Sequence, residues 1–235
     1  MLPQANMPEV PAAEVTKTKR VMQHHRDLTA EALSRGALPG RGYAIARFLS
    51  HLLHPLFLTT LSLLLVGFYA IESQPAGLLW SLLVAGLQIV PLTMFYTIRL
   101  RQGAFSDEDV SNRHQRNELY LFALFAAVIS IGILLMFQAP LPMVALLLSA
   151  LLLNIVSWLI NLSWKISVHA AAIGSCATIA LMYSRPIGII LTCCALALGW
   201  ARVRTRNHSP GQVIAGMLLA SACVLIVFAG FGLVR

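Results

Sequence analysis

The feature that leaves this chain least freedom is a succession of apolar stretches, each near the roughly 20 residues that a helix needs to cross a bilayer. They run approximately over residues 48–71, 76–98, 118–137, 141–160, 167–182, 186–201 and 211–233. Backbone groups in lipid have no water to bind, so runs of this kind predict helices that satisfy their own hydrogen bonds. The expected fold class is an all-α integral membrane protein, a bundle of six or seven transmembrane helices in which 167–182 and 186–201 are the shortest. Composition agrees: 11% of residues are charged, against about a quarter in soluble domains.

The net charge of +8 raises the question of a nucleic-acid partner, and its distribution argues against one. Seven basic residues precede the first span (Lys17, Lys19, Arg20, Arg26, Arg35, Arg41, Arg47), and Arg99, Arg101, Arg113 and Arg116 follow the second. Lys165 and Arg202, Arg204 and Arg206 fall on the same side, leaving Arg185 and Arg235 on the other. The positive-inside rule makes the crowded side, and with it the N-terminus, cytoplasmic. Membrane lipids are the expected partners.

Two regions follow. Residues 1–47 form a polar, basic leader: 1–13 have a disordered composition, and 14–34 are loosely helical before a C-capping Gly36. That segment is either solvated or a helix lying on anionic headgroups. It has no apolar core beside a cleavage site, so the start is expected to be retained. Residues 48–235 make the transmembrane domain. Cys176, Cys193, Cys194 and Cys223 all lie inside spans, without metal-ligand spacing, and read as small packing residues.

Span parity brings three polar segments to one face. The first contains Ser106-Asp107-Glu108-Asp109 and Asn112-Arg113-His114-Gln115-Arg116, the second is Lys165-Ile166-Ser167-Val168-His169, and the third runs from Arg202 to His208. Together they supply what phosphate ester hydrolysis through a covalent intermediate requires: a nucleophile, cations for the phosphoryl oxygens and an acid for the leaving alkoxide. Ser209-Pro210 reads as an N-cap followed by proline at the first helical position, which puts His208 at a helix N-terminus, where anions are favoured. Ser167 opens the fifth span in the same way.

The spacing Arg202-x5-His208, preceded by Ser167-x-His169, resembles the type 2 phosphatidic acid phosphatase superfamily, whose motifs are KxxxxxxRP, PSGH and SRxxxxxHxxxD. The resemblance covers roughly residues 107–216. It implies the phosphatidic acid phosphatase type 2 fold and a lipid phosphate or pyrophosphate phosphatase acting on a phosphorylated lipid, without metal or cofactor. It also implies roles: His208 as the nucleophile that becomes phosphorylated, His169 as proton donor, and Arg202 and Ser167 as phosphate ligands. The chain is similar to divergent bacterial members with an aspartate-rich first segment, a WKxSxH second motif and glutamine in the third, which implies the bacterial cytoplasmic membrane.

The departures from the family pattern are specific. Gln212 stands where the aspartate that orients the nucleophile is expected; it can fix the imidazole tautomer but cannot stabilise imidazolium as a carboxylate would. Position 109, seven residues before Arg116, is aspartate where the first motif has lysine. Arg113 and Arg116, one helical turn apart, are expected to face one phosphate together, and Lys165 to replace the missing cation. The acidic triplet 107–109 reads as a latch to Arg113 or Arg116, the alternative being Mg²⁺ and pyrophosphate, as in a magnesium-dependent isoprenoid transferase. A non-catalytic lipid-phosphate binder or partner subunit is the other rival. His51 and His54 read as interfacial or as hydrogen-bonded within the bundle, His114 as a loop residue, and Arg204 and Arg206 as headgroup anchors.

Overall fold

The computed structural model describes residues 41–106, 109–110 and 112–234. The leader up to residue 40, with its expected helix, and Asp107 and Glu108 lie outside the described residues. Within them the chain is entirely helical: α1 (Arg41–Leu52), α2 (Pro55–Ala70), α3 (Gln74–Arg101), α4 (Arg113–Met136), α5 (Leu141–Asn161), α6 (Val168–Tyr183), α7 (Arg185–Arg204) and α8 (Pro210–Gly230). From Ile45 onward the chain forms one compact unit, Ile45–Arg235.

Five of these helices, α3, α4, α5, α7 and α8, are long and apolar enough to cross a membrane. The run expected to open the bundle at residue 48 is not one helix. It bends by 43° between α1 and α2, and α1 passes straight through the expected leader boundary at 47–48. Pro55 is the cause: it offers no N–H to the preceding turn and drives His54 out of helical geometry. His54 is extended at φ −66°, ψ 144°, and its Nδ1 accepts the N–H of Leu56 as an N-cap. α6 has 16 residues, about 24 Å at ~1.5 Å per residue, less than the ~30 Å of hydrocarbon. It packs against α2, α7 and α8, which shield much of it from lipid.

Leu58, Leu134, Met143, Ile173, Ile179 and Phe228 are fully buried between the helices. Leu79, Leu82, Phe125, Leu196, Leu218 and Ile226 are exposed on the outside, as a lipid-facing surface requires. Cys176 and Cys223 are buried as expected of packing residues, whereas Cys193 is exposed. His114, expected in a loop, lies in the first turn of α4, its N–H capped by the side chain of Asn112.

The contact between α6 and α8 positions the site. Lipid tails give no hydrophobic drive for helix association, so close approach depends on small residues. A Cβ on Gly174 would sit 2.7 Å from the Met217 carbonyl oxygen, and one on Gly216 would sit 2.8 Å from that of Ser167. Both obstacles are backbone, so neither can swing aside. Gly174→Ala is therefore expected to push the two helices apart and destabilise the bundle by about 1–3 kcal/mol, measured as thermal unfolding in detergent. An unchanged melting temperature would mean that the contact is not tight.

Candidate functional site

The connection between α3 and α4 folds back under the helix ends. Phe105 is buried and stacks on Tyr96 with ring centroids 6.0 Å apart. Val110 is also buried, and it takes φ +45°, a left-handed conformation that a β-branched residue adopts only under constraint. Arg116 supplies the constraint. Its Nε donates to the Val110 carbonyl at 2.7 Å, Nη1 to that of Ile166 at 3.1 Å and Nη2 to that of Asp109 at 3.2 Å. Arg116 is 5% exposed, and its planar fork ties the first polar segment to the residue just before Ser167.

Arg113 points elsewhere: its Nη1 donates to the carbonyls of Leu162 and Ser163 at the end of α5. The two arginines therefore serve different carbonyl sets and do not form the shared clamp expected of them. Asp109 departs from expectation as well. Its carboxylate meets neither Arg113 nor Arg116 but accepts from Arg202 Nη2 at 3.2 Å and from Asn207 Nδ2 at 2.6 Å. The position that carries lysine in the resembling motif thus brings a carboxylate onto the arginine of the third segment.

Arg202 is 2% exposed, while Arg204 and Arg206 face outward. Among the described residues its Nε is buried without a hydrogen-bond partner, which leaves a desolvated donor. The six-residue spacing to His208 is closed by the backbone. α7 ends at Arg204, Arg206 adopts φ +58°, and the N–H of His208 returns to the carbonyl of Arg202 at 3.3 Å. Lys165 reaches the same turn, its Nζ donating to the carbonyl of Asn207 at 3.3 Å.

His208 is held from α8. Ser209 and Gln212 form a capping box: Ser209 Oγ accepts the N–H of Gln212, and Gln212 Oε1 accepts the N–H of Ser209 at 3.1 Å. The same Oε1 lies 3.2 Å from His208 Nδ1. An oxygen that already accepts a backbone N–H must be the amide oxygen, since a flipped amide would set donor against donor. Nδ1 therefore carries the proton, and Nε2 keeps the lone pair. A neutral imidazole with its lone pair fixed on Nε2 can act as a nucleophile or as a base.

Burial, and then the positive charges of Lys165, Arg202 and Arg116, push the His208 pKa from 6.5 down to about 3, opposed by the hydrogen bond to Gln212. The imidazole is thus neutral near pH 7. An unfolded chain would bind a proton at 6.5 that the folded chain refuses until about 3, so this contribution to stability is complete above the higher value and is lost as pH falls through the interval. Thermal unfolding from about pH 7 to pH 4 should show stability falling with pH, and less steeply in His208→Asn. Equal slopes would mean that the folded state protonates His208 freely.

The N-terminus of α6 meets that of α8. The Ser167 N–H donates to the Gln212 carbonyl at 3.3 Å, which links the second and third segments directly. Ser167 is fully buried, and its Oγ caps α6 by accepting the N–H of Ala170. His169, two residues on, meets a partner outside the expected site: the His54 ring stands edge-on to it with centroids 5.6 Å apart. His54, Asp109 and Asn207 are thus the residues that motif spacing misses. Parity and the His-Pro cap signal, which His54-Pro55 shares in form with Ser209-Pro210, would have placed His54 on this face.

The structure therefore brings together His208, Gln212, Arg202, Ser167, Lys165 and Arg116, with His169 flanked by His54, and leaves Arg113 to one side. Among the described residues no group of three or more His, Cys, Asp or Glu could hold a metal ion. No family model matches the chain, and neither a curated protein nor a solved structure is similar enough to count as a match.

Proposed function

We propose that this membrane protein hydrolyses a lipid phosphate or pyrophosphate through a phosphohistidine on His208. The observation that carries the reading is the Gln212–His208 contact, which leaves Nε2 unprotonated beside Lys165 and Arg202 at the N-terminus of α8. His208 Nε2 attacks phosphorus, and the bond from phosphorus to the lipid oxygen breaks. His169 relays to the departing alkoxide the proton of a monoanionic phosphate group. Water then attacks the phosphohistidine, both its protons passing to the phosphate that is released, which restores neutral His208. Arg202 Nε and the α6 and α8 N-termini hold the phosphoryl oxygens.

The charge asymmetry supports a cytoplasmic site on a multi-pass protein. Release of phosphate from phosphatidic acid by purified protein in EDTA tests the reading. Release only with Mg²⁺ would favour an isoprenoid transferase or another metal enzyme. Binding without release would favour the second reading, a lipid-phosphate binder. The pairing of Asp109 with Arg202 motivates that alternative, because it places a carboxylate where a phosphoryl oxygen would otherwise bind.

Gln212 sets the scale of turnover. Gln212→Glu keeps the reach to both Ser209 and His208 and adds a charge that stabilises imidazolium and suits the third position of a capping box. The expected gain in kcat is about tenfold, or ~1.4 kcal/mol. A slower enzyme would mean that the positive charge developing on His208 as it attacks is not what limits the rate.

A further inference from the structure

A partly open cavity of about 300 Å³ lies between α2, α3, α4, α5, α6 and α8. Among the described residues its wall holds no charged side chain. Thr59, Tyr120, Ser157 and Ser175 are among the polar residues of the lining, and others are bonded within the helices: Ser62 Oγ donates to the Leu58 carbonyl, Ser149 Oγ to that of Leu146, and Gln88 Nε2 to the Ala126 carbonyl and Ser130 Oγ. Asn154 Nδ2 likewise donates to the Tyr120 carbonyl. The surface facing the space is mostly hydrocarbon, which suits an apolar occupant better than a filling of ordered water. A void of this size left empty would forfeit the contacts of its whole lining.

The shape narrows the occupant. The lining runs from Val168 to Ile179 on α6 and from Ser157 to Leu146 on α5. Twelve residues on each helix, eleven steps of ~1.5 Å, correspond to about 16 Å, roughly half of a ~30 Å hydrocarbon core, or one leaflet. A space of that depth and about 300 Å³ is long and narrow, the shape of an extended hydrocarbon chain. The upper end lies at the site: Pro55 follows His54, and Ile166 and Val168 flank Ser167.

We infer that the cavity between α2 and α6 receives one acyl-length hydrocarbon chain of the lipid whose phosphate binds at Ser167, Arg202 and His208. The inference rests on the proposed phosphatase reading and names its substrate class: lipid phosphates with a chain of about one leaflet's depth, in preference to long polyprenyl phosphates. Head and tail then bind as one ligand, with the chain fixing the depth at which phosphorus meets Nε2.

Two arms test it. In the first, wild-type protein in detergent is irradiated with phosphatidic acid bearing a diazirine near the end of one acyl chain, and the labelled peptides are mapped. Labels at the end far from the histidines, around Leu146 and Ile179, are expected. Labels confined to outward residues such as Phe125 and Leu196 would overturn the inference. In the second, Ser175→Leu and Ala127→Leu each narrow the cavity away from the histidines. kcat/KM should fall at least about tenfold for a long-chain phosphatidic acid and change less than about twofold for a short, water-soluble one. Equal effects on both substrates, or none, would overturn it. If neither variant folds, the labelling arm decides. Cavity labelling without phosphate release by wild type would sink the phosphatase reading and keep the chain site, whereas release without cavity labelling would do the reverse.

Discussion

His208→Ala is expected to lower kcat for phosphate release by at least about 10³-fold, the scale on which removal of a covalent nucleophile is felt. Folding should be little affected. The imidazole is buried, but in a turn between α7 and α8, and the capping box of Ser209 and Gln212 does not depend on it. Near-normal turnover in the variant would show the nucleophile to be wrongly assigned. Loss of turnover together with loss of the folded bundle would leave the assignment to His208→Asn, which keeps a polar group facing Gln212 Oε1 and should be equally inactive.

Arg116 carries the largest expected effect on stability. Its guanidinium is buried and donates to three carbonyls, two of them in the loop before α4 and the third at Ile166. Replacement by Met would leave these carbonyls without their donor and free Val110 from its positive φ, at a cost of about 3 kcal/mol or more. Lys should not rescue it, because one ammonium cannot reproduce the planar fork. Asp109 is held by the same contacts, so Arg202 loses its carboxylate partner in the same event. Thermal unfolding in detergent checks this; a change under about 0.5 kcal/mol would mean that the loop is anchored by other contacts.

Much of the bundle is legible in the sequence, because hydropathy and caps are local. The stretch expected at 141–160 is α5, Leu141–Asn161, and the caps at Ser167 and Ser209 sit where hydroxyl and proline mark them. The break at His54 was readable from Pro55, but it lies inside an apolar run whose length suggests one span. The site divides along a similar line. Parity predicts that the three polar segments share a face, and their hydrogen bonds bear this out. The choice of partners is another matter. Asp109 and Arg202 are 93 residues apart, and which arginine receives the carboxylate depends on the course of the loop before α4, which Arg116 fixes through the Val110 and Asp109 carbonyls. The cavity is still less legible, since small side chains scattered over several helices create it without any periodic signal.

The central claim is that His208 attacks through Nε2 while Gln212 holds Nδ1. Purified protein mixed with a lipid phosphate labelled in its phosphoryl group, quenched in alkali and digested, tests it directly. A phosphoryl group on Nε2 of His208, formed in EDTA and absent from His208→Asn, is the result expected. Turnover with no label on His208, or with the label on Nδ1 or on a carboxylate such as Asp109, would contradict it.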